Sequence, residues 1–336
     1  MEVTTIGLDL AKHVFQVHCM NATGSVVLKR RLRRREVIAF FAALKPCLIG
    51  MEACATAHYW ARELRALGHE VRLMPAQYVK AYLRRGKNDA ADAAAICEAV
   101  TRPSMRFVPV KSDAQQAALM LHRVRDLLVR QRTQLVNAIR AHLAEFGIIE
   151  ARGPWNVGRL LVELEQDSAV PELVRELVHL LAEQLQEVER RIADVDARIL
   201  AQHKADPVSR RLAAIPGIGP LVATAIAATV PDPLAFQSGR EFAAWLGLVP
   251  RQHSTGGKPR LGRTSRQGDA YIRRLLVIGA QSVLYCSKAA RANPWIQGLL
   301  AKRPRMVVAV ALANKTARIA WAVMAHGEAY KAAVTA

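Results

Sequence analysis

Between residues 174 and 199 an apolar seam runs through Val174, Val178, Leu181, Leu185, Val188, Ile192, Val195 and Ile199. Their spacings alternate four and three without a break. Only an α-helix returns side chains to one narrow face at that interval, and such a seam has to be buried against another helix. The stretch 114–146 is a weaker partner, and Gly147, Gly153, Pro154 and Gly158 mark a break between the two. The pattern predicts an antiparallel coiled-coil hairpin or a dimerising coil. Two ordinary bundle helices are the plainer alternative.

The chain on either side reads differently. Residues 3–110 open with three strand-like runs, VTTIGLDL, HVFQVHCM and VVLKRRL, with the turn cluster NATGS between the last two. Strand and helix then alternate: REVIAFFAAL as helix, CLIGMEA as strand, ATAHYWARELRALG as helix ended by Gly68, HEVRLMP as strand and NDAADAAAICEAV as an Ala-rich helix. That order predicts an α/β domain with a mixed sheet. Residues 205–336 read as helical with loops. LAAIPGIGPLVATAIAATV holds a Gly-Ile-Gly turn between apolar helices, and RQHSTGGKPRLGRTSRQGD is a polar, Gly-rich basic loop. The fold class expected is therefore α/β plus α, in three segments: 1–112, 113–204 and 205–336.

Charge separates the same segments. The 336-residue chain carries a net charge of +20, made of +9 over 1–112, −2 over 113–204 and +13 over 205–336. Two basic ends around a nearly neutral middle predict a polyanionic partner, nucleic acid before membrane. The five cysteines form no CxxC pair, which excludes a zinc site of that type and fits a reduced, cytoplasmic protein. The N-terminus lacks a signal-peptide pattern, and the apolar run MVVAVALA at 306–313 is too short to span a bilayer. Aromatic residues are only 5% of the chain, so a stacking platform for single strands is not indicated.

Four acids stand out. Asp9 sits inside the first strand, in the opposite phase to Ile6, Leu8 and Leu10, where a carboxylate is unfavourable. Glu52 ends the strand CLIGME, and Asp89 and Asp92 share one face of a predicted helix. Like charges so placed repel one another unless a cation lies between them. Such a set of oxygen donors suits two Mg²⁺ ions in a phosphoryl-transfer site, with Mn²⁺ as substitute. Surface acids without a ligand are the alternative reading.

Three basic features point to nucleic acid. The turn with Gly217 and Gly219 resembles the hairpin of a helix-hairpin-helix, whose backbone approaches phosphates without reading bases. The segment 251–274 carries Arg251, Lys258, Arg260, Arg263, Arg266, Arg273 and Arg274 against the single acid Asp269. It also carries Ser254 and Thr255, hydroxyls that could act as phosphoryl-transfer nucleophiles among cations. The run 29–35 presents Arg30, Arg31, Arg33, Arg34 and Arg35 at a strand end. A solvated edge is the plain reading of that run, and backbone contact to nucleic acid the functional one.

Taken in order, GLDLAKHVF, GMEAC, KNDAADA, IPGIG and LGLVPRQHSTGGKPRLGRTSRQGDAYIRRLL resemble the DEDD transposases of the "one-ten" family of bacterial insertion sequences, relatives of the pilin-gene invertases. The resemblance runs from about residue 3 to about 325. It implies a RuvC-like, ribonuclease H-like first domain whose acids are Asp9, Glu52, Asp89 and Asp92. It also implies a C-terminal transposase domain whose hydroxyl attacks DNA and forms a covalent link, acids and hydroxyl meeting in a composite site. A structured bridge RNA, double-stranded DNA of the element ends and target, and a homo-dimer or homo-tetramer are the implied partners, in the bacterial cytoplasm at the nucleoid. In many relatives serine directly precedes the loop glycine. Here Thr255 holds that place and Ser254 lies one step earlier. Alignment favours Thr255, and the less hindered nucleophile is Ser254. Rival readings are a RuvC-type nuclease that uses metal-activated water and a non-catalytic nucleic-acid scaffold.

Overall fold

The structure of the protein is a computed structural model that describes residues 2–83, 89–288 and 292–331. It divides into two compact units. The first holds residues 1–115 and 230–237, the second residues 116–229 and 238–336. The units are cut differently from the three expected segments, because the long helices of the middle share a unit with the C-terminal region.

The first unit is built on a five-stranded mixed sheet. Its strands are β1 (Thr5–Asp9), β2 (Val14–Met20), β3 (Val26–Arg33), β4 (Leu48–Glu52) and β5 (Glu70–Met74), in the order β3-β2-β1-β4-β5. The first three pair antiparallel, whereas β4 runs parallel to both β1 and β5. Alternation along the strands gives the sheet two different faces. Ile6, Leu8, Phe15, Val17, Leu32, Ile49, Met51, Val71 and Leu73 form one buried face. Against it lie Val37 and Phe41 of α1 (Val37–Ala42) and Trp60, Ala61 and Leu64 of α2 (Ala57–Ala66).

The other face is shaped by glycine. Gly7 and Gly50 are register partners on β1 and β4. A Cβ on Gly7 would collide with the backbone of Ala93 and Cys97, and one on Gly50 would stand 2.7 Å from Val100 Cβ. These residues belong to or follow α4 (Asp89–Ala99), so two missing side chains let this Ala-rich helix lie directly on the strands. Ala95, Ile96, Ala99 and Val100 complete the packing with Met74 and Val79, the latter on the short α3 (Ala76–Val79).

In the second unit, α5 (Asp113–Ala144) and α7 (Glu172–Ala205) are the long helices the seam predicts. Arg125, early in α5, pairs with Asp196, late in α7. Val136, Ile139 and Leu143 cluster with Val178 and Leu185, so the helices run antiparallel within one chain. The connecting α6 (Val157–Gln166) adds Leu160 and Leu164 to that cluster. Every seventh seam residue, Val178, Leu185, Ile192 and Ile199, is buried.

The remainder is helical, with α8 (Pro207–Ala213), α9 (Pro220–Thr229), α10 (Gly239–Trp245), α11 (Ala270–Cys286), α12 (Pro294–Leu300) and α13 (Arg305–His326). Helix α13 extends the 306–313 run to 22 residues and is long and apolar enough, by length and composition, to cross a membrane. Its small residues Ala309, Ala313, Ala317 and Ala320 are fully buried, which is the packing of a core helix. The expected basic loop is a β-hairpin, β6 (Pro250–Gln252) paired antiparallel with β7 (Leu261–Thr264).

Candidate functional site

Asp9 ends β1 and Glu52 ends β4. Because the strands are parallel and Leu8 is level with Met51, the two carboxylates leave the same edge of the sheet on adjacent strands. Carboxyl ends of parallel strands are where open α/β sheets hold their ligands. Helix α4 brings Asp92 to the same place. Burial first, and then the charge of Asp92, push the Glu52 carboxyl above its ordinary range, with Lys80 partly opposing. The neighbouring Cys54 thiol is raised by burial, then by Glu52 and Asp9, so it feels both strand-end acids. Thus three predicted acids share one electrostatic neighbourhood. Asp89 opens α4, but its side chain lies outside the described residues.

All of these donors are carboxylate oxygens, the set that Mg²⁺ and Mn²⁺ prefer. Among the described residues no group of three or more His, Cys, Asp or Glu is drawn close enough to hold a metal ion. The donor chemistry and the mutual repulsion fit a divalent cation, and the side chain of the fourth acid, Asp89, lies outside those residues.

The second candidate centre is the hairpin. Its turn is Thr255-Gly256-Gly257-Lys258, closed by the Lys258 N–H donating to the Thr255 carbonyl at 3.0 Å. Gly256 and Gly257 have φ of 55° and 75°, the positive pair that a type I′ turn needs at its centre. Ser254 Oγ accepts from Gln252 Nε2 and from the Arg260 backbone N–H, both at 3.1 Å. No described residue hydrogen-bonds the Thr255 hydroxyl. Arg251, Lys258, Arg260, Arg263 and Arg266 are exposed around these hydroxyls.

The structure sorts the other basic candidates. Arg273 donates to the carbonyls of Leu246 and Gln267, at 2.9 and 2.6 Å, and so ties α11 to the end of α10. Arg274 is ion-paired to Asp126 of α5 and lies over the Tyr271 ring. Both guanidiniums, grouped by sequence with the phosphate-facing cations, are engaged inside the second unit. Arg30 lies over Phe40 and Arg34 over Trp60, while Arg31, Arg33 and Arg35 are exposed with them along the sheet-edge strand and the turn after it. A Cβ on Gly217 would stand 3.1 Å from the Gly279 carbonyl, so close packing on α11 accounts for that glycine. Gly219 is exposed just ahead of α9.

Sequence comparison adds an independent line. A family profile described as the transposase IS116/IS110/IS902 family matches residues 209–294. A second, the DEDD transposase profile of IS110 type, matches residues 6–148. A Pseudomonas aeruginosa protein named as a probable family 20 transposase is 51% identical, over 98% of this chain and 99% of its own length. The transposase of insertion sequence element IS1328 from Yersinia enterocolitica is 43% identical over 98% of each chain. That of IS1111A from Coxiella burnetii is 37% identical, over 98% of this chain and 92% of its own.

Proposed function

The chain belongs to the IS116/IS110/IS902 family of transposases, and from that premise we propose that it cuts and rejoins DNA with carboxylates on a RuvC-like sheet and a hydroxyl on the C-terminal hairpin. The observation that carries this reading is the meeting of Asp9, Glu52 and Asp92 at the edge where β1, β4 and α4 end or begin. Asp9, Glu52, Asp89 and Asp92 are the residues that would hold divalent cations. Such cations, when bound, supply Lewis-acid charge to a phosphodiester.

The hydroxyl attacks phosphorus. A new P–O bond joins protein to DNA as the bond from phosphorus to the departing 3′-oxygen breaks, and that oxygen leaves as a hydroxyl. A second 3′-hydroxyl reverses the exchange on another strand, so bonds are conserved and no external energy source is needed. Ser254 is the favoured nucleophile, with Thr255 the alternative. The two donors aimed at Ser254 Oγ stabilise negative charge on it as its proton departs. The exposed cations Arg251, Lys258, Arg260, Arg263 and Arg266 offset charge on the phosphate during attack. Gly219, ahead of α9, offers amides to a phosphate as a helix-hairpin-helix does. The basic sheet edge and this hairpin would share a structured bridge RNA and the DNA ends, with a dimer or tetramer as the working assembly.

The test incubates the protein with Mg²⁺, the RNA that flanks its element and DNA spanning the element junction. Products are resolved on denaturing gels with and without protease. A protease-sensitive adduct that is lost in Ser254→Ala or Thr255→Ala supports the reading and identifies the nucleophile. Nicked DNA without an adduct would favour the nuclease that uses water, and recombination unaffected by Asp9→Ala would favour a scaffold.

A further inference from the structure

One large groove lies within the second unit, between α13, α12, α10 and the base of the β6–β7 hairpin. Its volume of about 1280 Å³ exceeds the ~300–1,000 Å³ of sites that enclose one small molecule. An extended chain suits it better. Its floor is apolar and unusually open: Trp295 is 41% exposed, Met306 53% and Val307 51%. Its walls carry Arg240, Arg266, Lys315 and Arg318, and no described carboxylate lines it.

The aromatic ring is built into place. Asn293 caps α12 by accepting from the Trp295 and Ile296 amides at 3.0 and 3.3 Å, and Ile296 is buried beneath. Lys315 Nζ sits 4.7 Å from the Trp295 ring centroid, so a cation accompanies the ring. Arg266 adds a second, independent sign. It is one of only two described non-glycine residues with positive φ, at 54°, a conformation that is unfavourable for a residue with a Cβ. Strain of that kind is retained where a side chain has to be aimed, and here it stands at the groove wall beside the hairpin strand.

We infer that this groove binds an unpaired stretch of the DNA strand, one base lying on Trp295 and the neighbouring phosphates meeting Arg266, Lys315 and Arg318. Cations without carboxylates beside an exposed indole are complementary to a single strand: charge for the backbone, a ring for any base. DNA is the occupant because Pro250, Thr264 and Arg266 belong to, or directly follow, the hairpin proposed to carry the nucleophile. A strand entering that hairpin therefore continues into the groove. To this extent the inference rests on the proposed function. The low aromatic content argued against a stacking platform, but stacking needs one well-placed ring, not many.

The experiment uses the full-length protein and a short single-stranded DNA containing 2-aminopurine, whose fluorescence falls on stacking. The same sequence as duplex DNA and as RNA provides the comparison. The wild type should bind single-stranded DNA with quenching. Trp295→Ala should weaken that binding about tenfold, as expected for the loss of one base–ring stack, and abolish the quench. Duplex binding should stay within about twofold, and Trp295→Phe should restore the quench. Lys315→Gln, at an exposed position that does not threaten folding, should lower the slope of log affinity against log salt by about one. Unchanged single-strand binding in both Trp295→Ala and Lys315→Gln overturns the inference. So does a Trp295-dependent quench that is stronger with RNA than with DNA. The adduct assay separates this from the parent reading. If the wild type forms adduct while Trp295→Ala binds single strands normally, only the groove proposal fails. If no adduct forms yet Trp295 governs single-strand binding, only the nucleophile reading fails.

Discussion

The acid edge of the sheet and the basic hairpin are shaped by opposite physical routes. At the sheet edge, like charges are forced together by packing: α4 lies on Gly7 and Gly50 with no room for a Cβ, and Asp92 is carried in with it. Burial and repulsion push Glu52 toward its neutral form, so the site is poised for a positive partner. At the hairpin little is packed. Its strands are largely exposed, its turn glycines Gly256 and Gly257 meet no atom within 4 Å, and its geometry is set by a local turn. One site depends on long-range packing, the other on backbone conformation at two residues. Substitutions of similar size should therefore have very different effects in the two regions.

The largest expected effect is chemical. Asp9→Asn keeps size and fold but removes a charge from the acid edge, and strand cleavage should fall about 10³-fold, the scale of several kcal/mol of charge stabilisation at a metal site. Single-turnover cleavage at saturating Mg²⁺ measures it, and near-wild-type rates would remove Asp9 from the reaction. Next comes Gly7→Ala. Its Cβ has to displace α4 backbone, so thermal or denaturant unfolding of the first unit should lose about 3 kcal/mol.

An intermediate effect concerns the buried floor of the second unit. His122, on α5, shares a hydrogen bond of 3.1 Å with Tyr271 of α11, while its Nε2 is buried without a partner among the described residues. Burial first, then the Arg125 guanidinium, hold this imidazole down at about 4. The folded value lies below the unfolded one, so the unfolded chain binds the proton more tightly. The contribution is fully present above about pH 6.5 and is lost as pH falls toward 4, a loss on the order of 2–3 kcal/mol by pH 4.5. Denaturant melts from pH 7 to 4.5 should show this slope, and His122→Gln should flatten it.

The smallest effects belong to the hairpin. Gly257→Ala meets no atom but keeps φ at 75°, so its cost is conformational, about 1 kcal/mol, and local. Hydrogen exchange confined to residues around the turn would check it; a loss as large as that of Gly7→Ala would erase the contrast between the two regions. Arg263→Gln should leave stability unchanged and reduce the salt slope of DNA binding by about one, read by titration at several salt concentrations.

Much of the fold was legible in local pattern. All five strands of the sheet and its four helices lie where alternation and periodicity put them, except the short α3, which has no pattern of its own. The hairpin went unread as strand because its residues are exposed and polar and show no alternation, although Gly256-Gly257 is a turn signal. Arg273 and Arg274 were legible as cations but not as engaged ones. Their partners Leu246 and Asp126 lie 27 and 148 residues away, beyond any local pattern. Trp295 and Lys315 gave no signal for the same reason, being brought together across two helices.

By itself, then, the sequence determined the elements, the basic ends, the acids and the hydroxyls, because periodicity, turn chemistry and charge act within a few residues. Only the tertiary structure decided which carboxylates converge, which guanidiniums are already engaged, and where an indole stands open among cations. Those outcomes depend on close approaches such as Gly7 against α4, whose energy exists only once distant segments have packed.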